Sequence, residues 1–155
     1  MLSGLVASQV DPAEREHALG VGGAKLWHLP RFRDHRGSLV VAELPDDLPF
    51  APRRIFTVYD VPGQDVRGEH AHRECEQLLI AVHGALSVRL EDGDASREVR
   101  LDIPTVALHM PPMIWGEQHE FTADAVLLVL ASHAYASEDY IRDHDAFLRA
   151  VGAAG

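Results

Sequence analysis

A single cysteine, Cys75, stands among 155 residues, which excludes an internal disulfide and any zinc site built from several thiolates. One thiol fits a reducing compartment, and the cytoplasm is the expected location. No apolar run reaches the roughly 18 residues that cross a bilayer. The opening Met1-Leu2-Ser3-Gly4-Leu5-Val6 has no basic residue and soon meets Asp11, Glu14 and Glu16, so neither a spanning segment nor a secretory leader is expected. Basic residues are scarce, 14 against 24 acidic for a net charge of −10, and the arginines are dispersed instead of forming a stripe. Such a surface repels polyanions, which removes nucleic acid from the expected partners and leaves room for a small phosphorylated ligand held by two or three arginines. With 46% apolar residues, the length supports one domain with a substantial core and not two.

Short apolar stretches are plentiful, at residues 24–29, 39–44, 54–60, 77–82, 85–90, 98–101, 106–110 and 125–131. Turn residues separate them: Asp34-His35-Arg36-Gly37, Val61-Pro62-Gly63, His83-Gly84 and Glu91-Asp92-Gly93-Asp94, the last with the Asp-Gly pair that hairpins favour. These lengths and spacings predict antiparallel strands in a β-sandwich or small barrel. Leu86, Val88 and Leu90 alternate with Ser87 and Arg89, a half-buried pattern. The unbroken apolar run 126–130 belongs in mid-sheet. Residues 137–150 read as the one helix, opened by Ser137 with Glu138 and Asp139 behind it. Residues 1–22 read as a loose or short helical lead-in, and 23–155 as a single domain.

The densest chemistry lies in Arg67-Gly68-Glu69-His70-Ala71-His72-Arg73-Glu74-Cys75. In a strand, alternate side chains share a face, so His70 and His72 point into the same space. Paired imidazoles either move protons near neutral pH or bind a metal. A sandwich carrying His-x-His resembles the cupins, jelly rolls whose first motif continues to an acidic ligand and a glycine. Here Gln77 and Gly84 hold those places, and glutamine is a weak ligand; Glu76 would have to face the other side of the sheet. The second motif normally supplies a further histidine after a proline. Around Pro112 the sequence offers Trp115 and Gly116 instead, with His109 and His119 off the spacing. Two histidines alone rarely hold a catalytic divalent ion. Proton transfer is therefore the favoured reading, with a metal-dependent, dioxygenase-like cupin and a pair of ordinary exposed histidines as the alternatives.

Further blocks sharpen the resemblance: Asp34-x-Arg36-Gly37-x-Leu39 with Glu43, Arg54-Ile55-Phe56, Arg67-Gly68-x-His70-Ala71-His72 with Gln77, Pro112-x-x-Trp115-x-Glu117, and Asp139-Tyr140-Ile141-Arg142-Asp143 with Phe147. In this order, from about Phe32 onward, they are similar to the nucleotide-sugar 3,4-ketoisomerases, small cupins acting on thymidine-diphosphate-linked 4-keto-6-deoxyglucose. The resemblance implies an all-β cupin jelly-roll barrel with a short C-terminal helix. It also implies a homodimer, often with exchanged N-terminal strands, that binds the dTDP-linked keto sugar and needs no metal or other cofactor. It implies that His70 moves hydrogen between C3 and C4, while His72 and a nearby tyrosine serve the oxygens. That tyrosine commonly stands at position 56, where this chain has Phe56; strand alternation turns Tyr59 the other way. A sugar-nucleotide epimerase and a non-catalytic sugar-nucleotide-binding cupin are the remaining alternatives, although the histidine–aspartate arrangement of the epimerases is not evident in the sequence.

Arg54 and Arg67 are the candidates for the diphosphate, because a guanidinium matches phosphate geometry. Gln77 joins the histidine segment as a substrate contact. Trp115 is a candidate to stack on the base or line the sugar pocket, with a core or interface role as the alternative. Glu117 is a candidate sugar contact or a rim carboxylate. Asp34 and Arg36 read as a structural ion pair, and Cys75 as a buried, inert thiol.

Overall fold

Alternation along the strands sorts the apolar side chains into an interior set and two sets that need covers. The computed structural model describes residues 4–152. Its strands are β1 (Leu5–Val6), β2 (Glu16–Ala18), β3 (Lys25–His28), β4 (Arg31–Asp34), β5 (Gly37–Val40), β6 (Arg54–Tyr59), β7 (Arg67–His72), β8 (Gln77–His83), β9 (Leu86–Glu91), β10 (Ser96–Leu101), β11 (Val106–Met110), β12 (Trp115–His119), β13 (Val126–Ala131) and β14 (Tyr140–Ile141). A helix, α1 (His144–Gly152), follows. Two six-stranded sheets, ordered β1-β10-β9-β12-β7-β14 and β2-β3-β11-β8-β13-β6, face one another, and β4–β5 forms a separate hairpin. Apart from the short β1–β10 contact the pairings are antiparallel. This is the jelly-roll sandwich that the strand pattern predicts.

Between the sheets lies the main core, including Leu26, Leu79, Ala81, Leu86, Val88, Leu90, Val99, Leu101, Leu108, Leu127 and Val129. Each of the larger side chains contributes about 1.5–3 kcal/mol by leaving water. The opposite parity of β8 places Leu78 and Ile80 on the outer face of the second sheet, where Leu48 and Phe50 from the 41–53 connection cover them. On the outer face of the first sheet, Ala71, Trp115 and Ile141 are covered by Phe147 of α1. The two sides of β7 thus do different work. Ala71 anchors the strand under the helix, while His70 and His72 look inward.

The stretch expected as a strand at 39–44 ends at Val40, in a hairpin that begins at Arg31, and three further stretches differ from the expectations. Residues 137–150 are not one helix: a 3₁₀ turn, Ser137–Asp139, leads into β14, and the α-helix begins only at His144. Pairing of Tyr140 and Ile141 with His72 and Ala71 overrides local helix preference. The expected loose or short helical lead-in contains a 3₁₀ turn, Ala7–Gln9, but also β1 and β2, which close the edges of both sheets. Residues 1–3 and 153–155 of the two expected segments lie outside the described residues. Strand β12 was not expected, since Trp-Gly-Glu-Gln-His carries no apolar alternation. No described helix is long and apolar enough to cross a membrane.

Phe147 is fully buried and joins α1 to Trp115, with ring centroids 5.8 Å apart. Truncating a buried phenylalanine leaves a cavity and forfeits its transfer free energy. The Phe147→Ala variant is expected to lose about 3–5 kcal/mol in urea denaturation, with Trp115 fluorescence reporting the loosening; a loss below about 1 kcal/mol would contradict the anchoring role of this ring.

Candidate active site

A bulge in β7 sets the first histidine. Against β12, His70 pairs with Gly116, Gly68 with Glu117, and Arg67 with Gln118, so Glu69 is an extra residue. Gly68 and Glu69 accordingly take positive φ, 84° and 54°, a conformation that glycine tolerates freely and that a Cβ at position 68 would crowd against the Gly116 carbonyl at 3.0 Å. The extra residue has two consequences. Arg67 ends up on the same side of the sheet as His70, which uninterrupted alternation would forbid. The Gly68 carbonyl also turns toward the His70 ring and accepts a hydrogen bond from Nδ1 at 2.9 Å. A carbonyl can only accept, so Nδ1 carries the hydrogen and Nε2 is left with its lone pair.

His72 is fixed the same way by a different partner. Its Nδ1 donates to Asp139 Oδ2 at 2.9 Å. Asp139 also accepts the amide hydrogens of Glu74 at 2.7 Å and Cys75 at 3.3 Å. Burial opposes ionisation of Asp139, but these donors outweigh it and hold the carboxyl below its usual range. The His72 Nε2 is buried with no hydrogen-bond partner. The two imidazoles meet edge to face with centroids 4.9 Å apart. Burial, first of all, lowers both pKa values; the arginines Arg142 and Arg54 add to this at His70, and the His70 and Arg54 charges at His72, which falls to about 4. Both rings are therefore neutral near pH 7 and available as bases.

Tyr140, the β14 partner of His72, shares the inward face and lies 4.9 Å from the His70 ring and 4.4 Å from the His72 ring. From the edge of the other sheet, β6 contributes Arg54, whose Nη1 donates to the Tyr140 hydroxyl at 3.5 Å and whose Nε is buried without a partner. The Arg54 guanidinium also stands 5.5 Å from the Phe56 ring and 5.7 Å from the Tyr135 ring. Arg142 covers Tyr140 from 4.2 Å. Gln77, His70, His72, Met110, Gly116 and Gln118 line one narrow cavity of about 20 Å³. A roomier cavity of about 450 Å³, lined by Ala7, Arg15, His28 and Ile103 among others, lies apart from the histidines.

His70, His72, Gln77 and Arg54 are thus brought together, with Arg67 exposed on the same side of β7. Two expected contacts are not. Trp115 and Glu117 alternate with the cavity-lining Gly116 and Gln118, so they stand on the outer face of the sheet. There Trp115 packs under Phe147 and Glu117 meets Arg89 at 3.5 Å. Tyr59 is 62% exposed, as alternation requires, and Cys75 is buried. Asp34 and Arg36 form the expected ion pair at 2.6 Å. Glu76 faces away from the histidine pair and meets His109 at 2.8 Å. Asp139 and Tyr140, which stand in the sequence only within the Asp-Tyr-Ile-Arg-Asp block, join the histidines in the fold. His72 and Asp139 form a histidine–aspartate pair from residues 67 positions apart, a separation that hides it in the sequence. His72, Cys75 and Asp139 have donor atoms within 4.8 Å of one another. In this group the carboxylate already accepts three N–H donors, which suits a hydrogen-bonded dyad better than a cation.

A double-sheet jelly roll carrying two inward imidazoles on one strand is a cupin. Residues 22–152 match the family model described as FdtA, WxcM-like, C-terminal. A TDP-4-oxo-6-deoxy-alpha-D-glucose-3,4-oxoisomerase from Aneurinibacillus thermoaerophilus is 39% identical over 127 residues, 82% of this chain and 91% of the relative. The crystal structure of a 3,4-ketoisomerase from Helicobacter canadensis superposes with a TM-score of 0.80 at 39% identity, over 83% of this chain and 97% of that one. A histidine-to-asparagine variant of the 3,4-ketoisomerase QdtA from Thermoanaerobacterium thermosaccharolyticum, in complex with TDP-4-keto-6-deoxyglucose, superposes with a TM-score of 0.84 at 32% identity, covering 86% and 96%. The chain belongs to this FdtA family.

The His72 shift has a definite sign. An imidazole in the unfolded chain takes up its proton near pH 6.5, whereas folded His72 waits until about pH 4. Between those values the unfolded state binds more protons, so stability is full above pH 6.5 and declines as the pH falls toward 4. An NMR titration of the imidazoles is expected to show His72 as the Nδ1–H tautomer at pH 6, titrating near 4; a midpoint at or above 6.5 would contradict the burial argument.

Proposed function

We propose that the protein is a sugar-nucleotide 3,4-ketoisomerase that moves the keto group of a dTDP-linked 4-keto-6-deoxyhexose from C4 to C3. The observation that carries this reading is the orientation of His70: its Nδ1–H is tied to the Gly68 carbonyl, so a neutral Nε2 serves as the carbon base on the inner face of the barrel. A hydrogen α to a ketone is acidic enough to remove once charge on the carbonyl oxygen is stabilised. His70 takes the hydrogen from C3, the electron pair closes a C3–C4 double bond, and an enediol forms; returning the hydrogen to C4 completes the shift. One base on one ring face serves both steps. Substrate and product are isomers, so the reaction needs no redox partner.

The remaining groups fit around that ring. The narrow cavity between the imidazoles and Gln77, about 20 Å³, has room for about one water. The hexose therefore lies at its outer end, where His70, Tyr140 and Arg54 meet. Arg67, brought to the side of His70 by the bulge, and Arg142, both exposed, hold the diphosphate, with Arg54 closer to the sugar. The exposed apolar side chains Phe32 and Leu39 on the free β4–β5 hairpin, with Ile55 and Tyr59 on β6, support a homodimer that covers them. The single cysteine supports a cytoplasmic location.

Purified protein given TDP-4-keto-6-deoxyglucose in deuterated water is expected to yield the 3-keto isomer with deuterium at C4. His70→Asn is expected to slow turnover by roughly 10²–10⁴-fold while TDP affinity, measured by calorimetry, stays unchanged. Well-folded protein that binds TDP yet neither exchanges nor isomerises would point to a non-catalytic binding cupin.

A further inference from the structure

The cavity of about 450 Å³ that lies apart from the imidazoles opens at the root of the β4–β5 hairpin, and the isomerisation has no use for it. One wall comes from the segment between Ala7 and Arg15. The family match begins only at residue 22, so this wall lies outside the domain shared with the ketoisomerases. The segment is nevertheless part of the sandwich: β1 lies beside β10, β2 lies beside β3, and Ala7 and Val10 enter the main core. Between those strands, Ser8 is tied to Asp102 through its amide at 2.9 Å and through its hydroxyl. The Glu14 carbonyl accepts the Nδ1 hydrogen of His28 at 2.6 Å, and the Arg15 carbonyl accepts the His28 amide at 2.9 Å. These bonds fix the segment against Asp102 on one side and the end of β3 on the other.

The lining combines two chemistries. Val10, Leu29, Pro30, Ile103 and Val106 supply an apolar wall. Every ionisable lining residue is basic, namely Arg15, His28 and Arg31, although acidic residues outnumber basic ones 24 to 14 along the chain. The three are not equally free. Arg15 is paired with Asp47 at 3.2 Å. His28 donates from Nδ1, so its Nε2 keeps a lone pair for a donor. Arg31, the exposed first residue of the hairpin, has no acidic partner among the described residues. The volume falls in the range of small-molecule sites, roughly 300–1,000 Å³, which are likewise mostly apolar with a few convergent polar groups. We propose that this cavity binds a small organic anion, its apolar body against Val10, Ile103 and Val106 and its carboxylate or phosphate head on Arg31. A bare inorganic anion would leave the apolar wall wet, and a neutral apolar molecule would gain nothing from Arg31. A guanidinium accepts either head group.

The test uses the full chain with TDP in excess, so that the nucleotide occupies the arginines around the imidazoles. The probe is 1-anilinonaphthalene-8-sulfonate, a dye with an apolar body and one anionic head that brightens on leaving water. It is expected to bind, and its neutral counterpart N-phenyl-1-naphthylamine, which lacks the sulfonate, to bind about tenfold or more weakly, the worth of a hydrogen bond to a charged group. Arg31→Gln is expected to weaken the anionic dye by a similar factor and to leave the neutral one unchanged. Ala13→Trp, which fills the cavity from an exposed position, is expected to abolish both. These two substitutions lie on the surface, so the melting temperature and TDP affinity are expected to stay in place. Competition by benzoate and by phenyl phosphate then separates a carboxylate ligand from a phosphate one, the tighter competitor naming the head. Dye binding that is absent, that is equal for the charged and neutral dyes, or that survives Ala13→Trp overturns the proposal. The comparison of the two dyes on unaltered protein keeps the result decisive even where a variant folds poorly. None of these outcomes bears on the ketoisomerase reading, which stands or falls on exchange and turnover.

Discussion

Two residue pairs, Tyr140 with His72 and Ile141 with Ala71, are the contact on which the site depends. A two-residue strand has little stability of its own, and β14 is held by what lies on its two sides. Outside, Ile141 is buried with Ala71 and Trp115 beneath Phe147. At its start, Asp139 gathers the amides of Glu74 and Cys75 and the ring of His72, while its own carbonyl accepts the Arg73 amide at 2.8 Å. The apolar side supplies the free energy and the carboxylate supplies the register. Shift β14 by one residue and Tyr140 would face the helix, with Ile141 against the imidazoles.

Burial of the histidines follows from the same arrangement and decides their chemistry. An imidazole in water is half protonated near pH 6.5 and serves poorly as a base below that. Enclosure between the sheets lowers both pKa values, which keeps the lone pairs free at neutral pH. The two rings are not equivalent. His70 is tied to a neutral carbonyl and His72 to an ionised carboxylate, so protonation of His72 would be the better compensated of the two, yet burial still brings its pKa down to about 4. The weaker tie at His70 fits its proposed role as the carbon base, which must give its hydrogen back.

Much of this was legible in the residues. Periodicity located most strands, His-x-His placed two rings on one face, and Gln77 arrived in the same cavity because its parity in β8 matches that of Leu79 and Ala81. What escaped has a common cause: it depends on long-range pairing that short-range pattern does not encode. Ser-Glu-Asp opens a helix by local preference, and only β7 makes Tyr140–Ile141 a strand. Trp115 and Glu117 were drawn to the site by proximity in a motif, but strand β12 has no apolar alternation to reveal which of its faces is inward. The bulge that brings Arg67 to the side of His70 could be suspected from Gly68, yet Glu69 at positive φ could not. The two features that best define the site, the Asp139 dyad and the Tyr140 hydroxyl, come from the C-terminal segment and join strands far apart in sequence.

Four buried side-chain nitrogens lack partners among the described residues: Trp27 Nε1, Trp115 Nε1, Arg54 Nε and His72 Nε2. Leaving a buried polar group unpaired costs about 1–3 kcal/mol, so each calls for a reason. The indoles lie on opposite outer faces of the sandwich, one with Phe50 and Leu130 and the other under α1. An orphaned donor alone does not define a site. The other two differ in kind and in company. One is a donor and the other an acceptor, both border Tyr140, and in the proposed binding mode the oxygens of a keto sugar supply the missing partners. A bound enediol offers hydroxyl hydrogens to an imidazole lone pair and oxygen lone pairs to a guanidinium. The cost of keeping these groups unpaired is then recovered only with substrate in place, and most fully when charge sits on the oxygens, which is the condition for accelerating the reaction instead of merely binding the sugar.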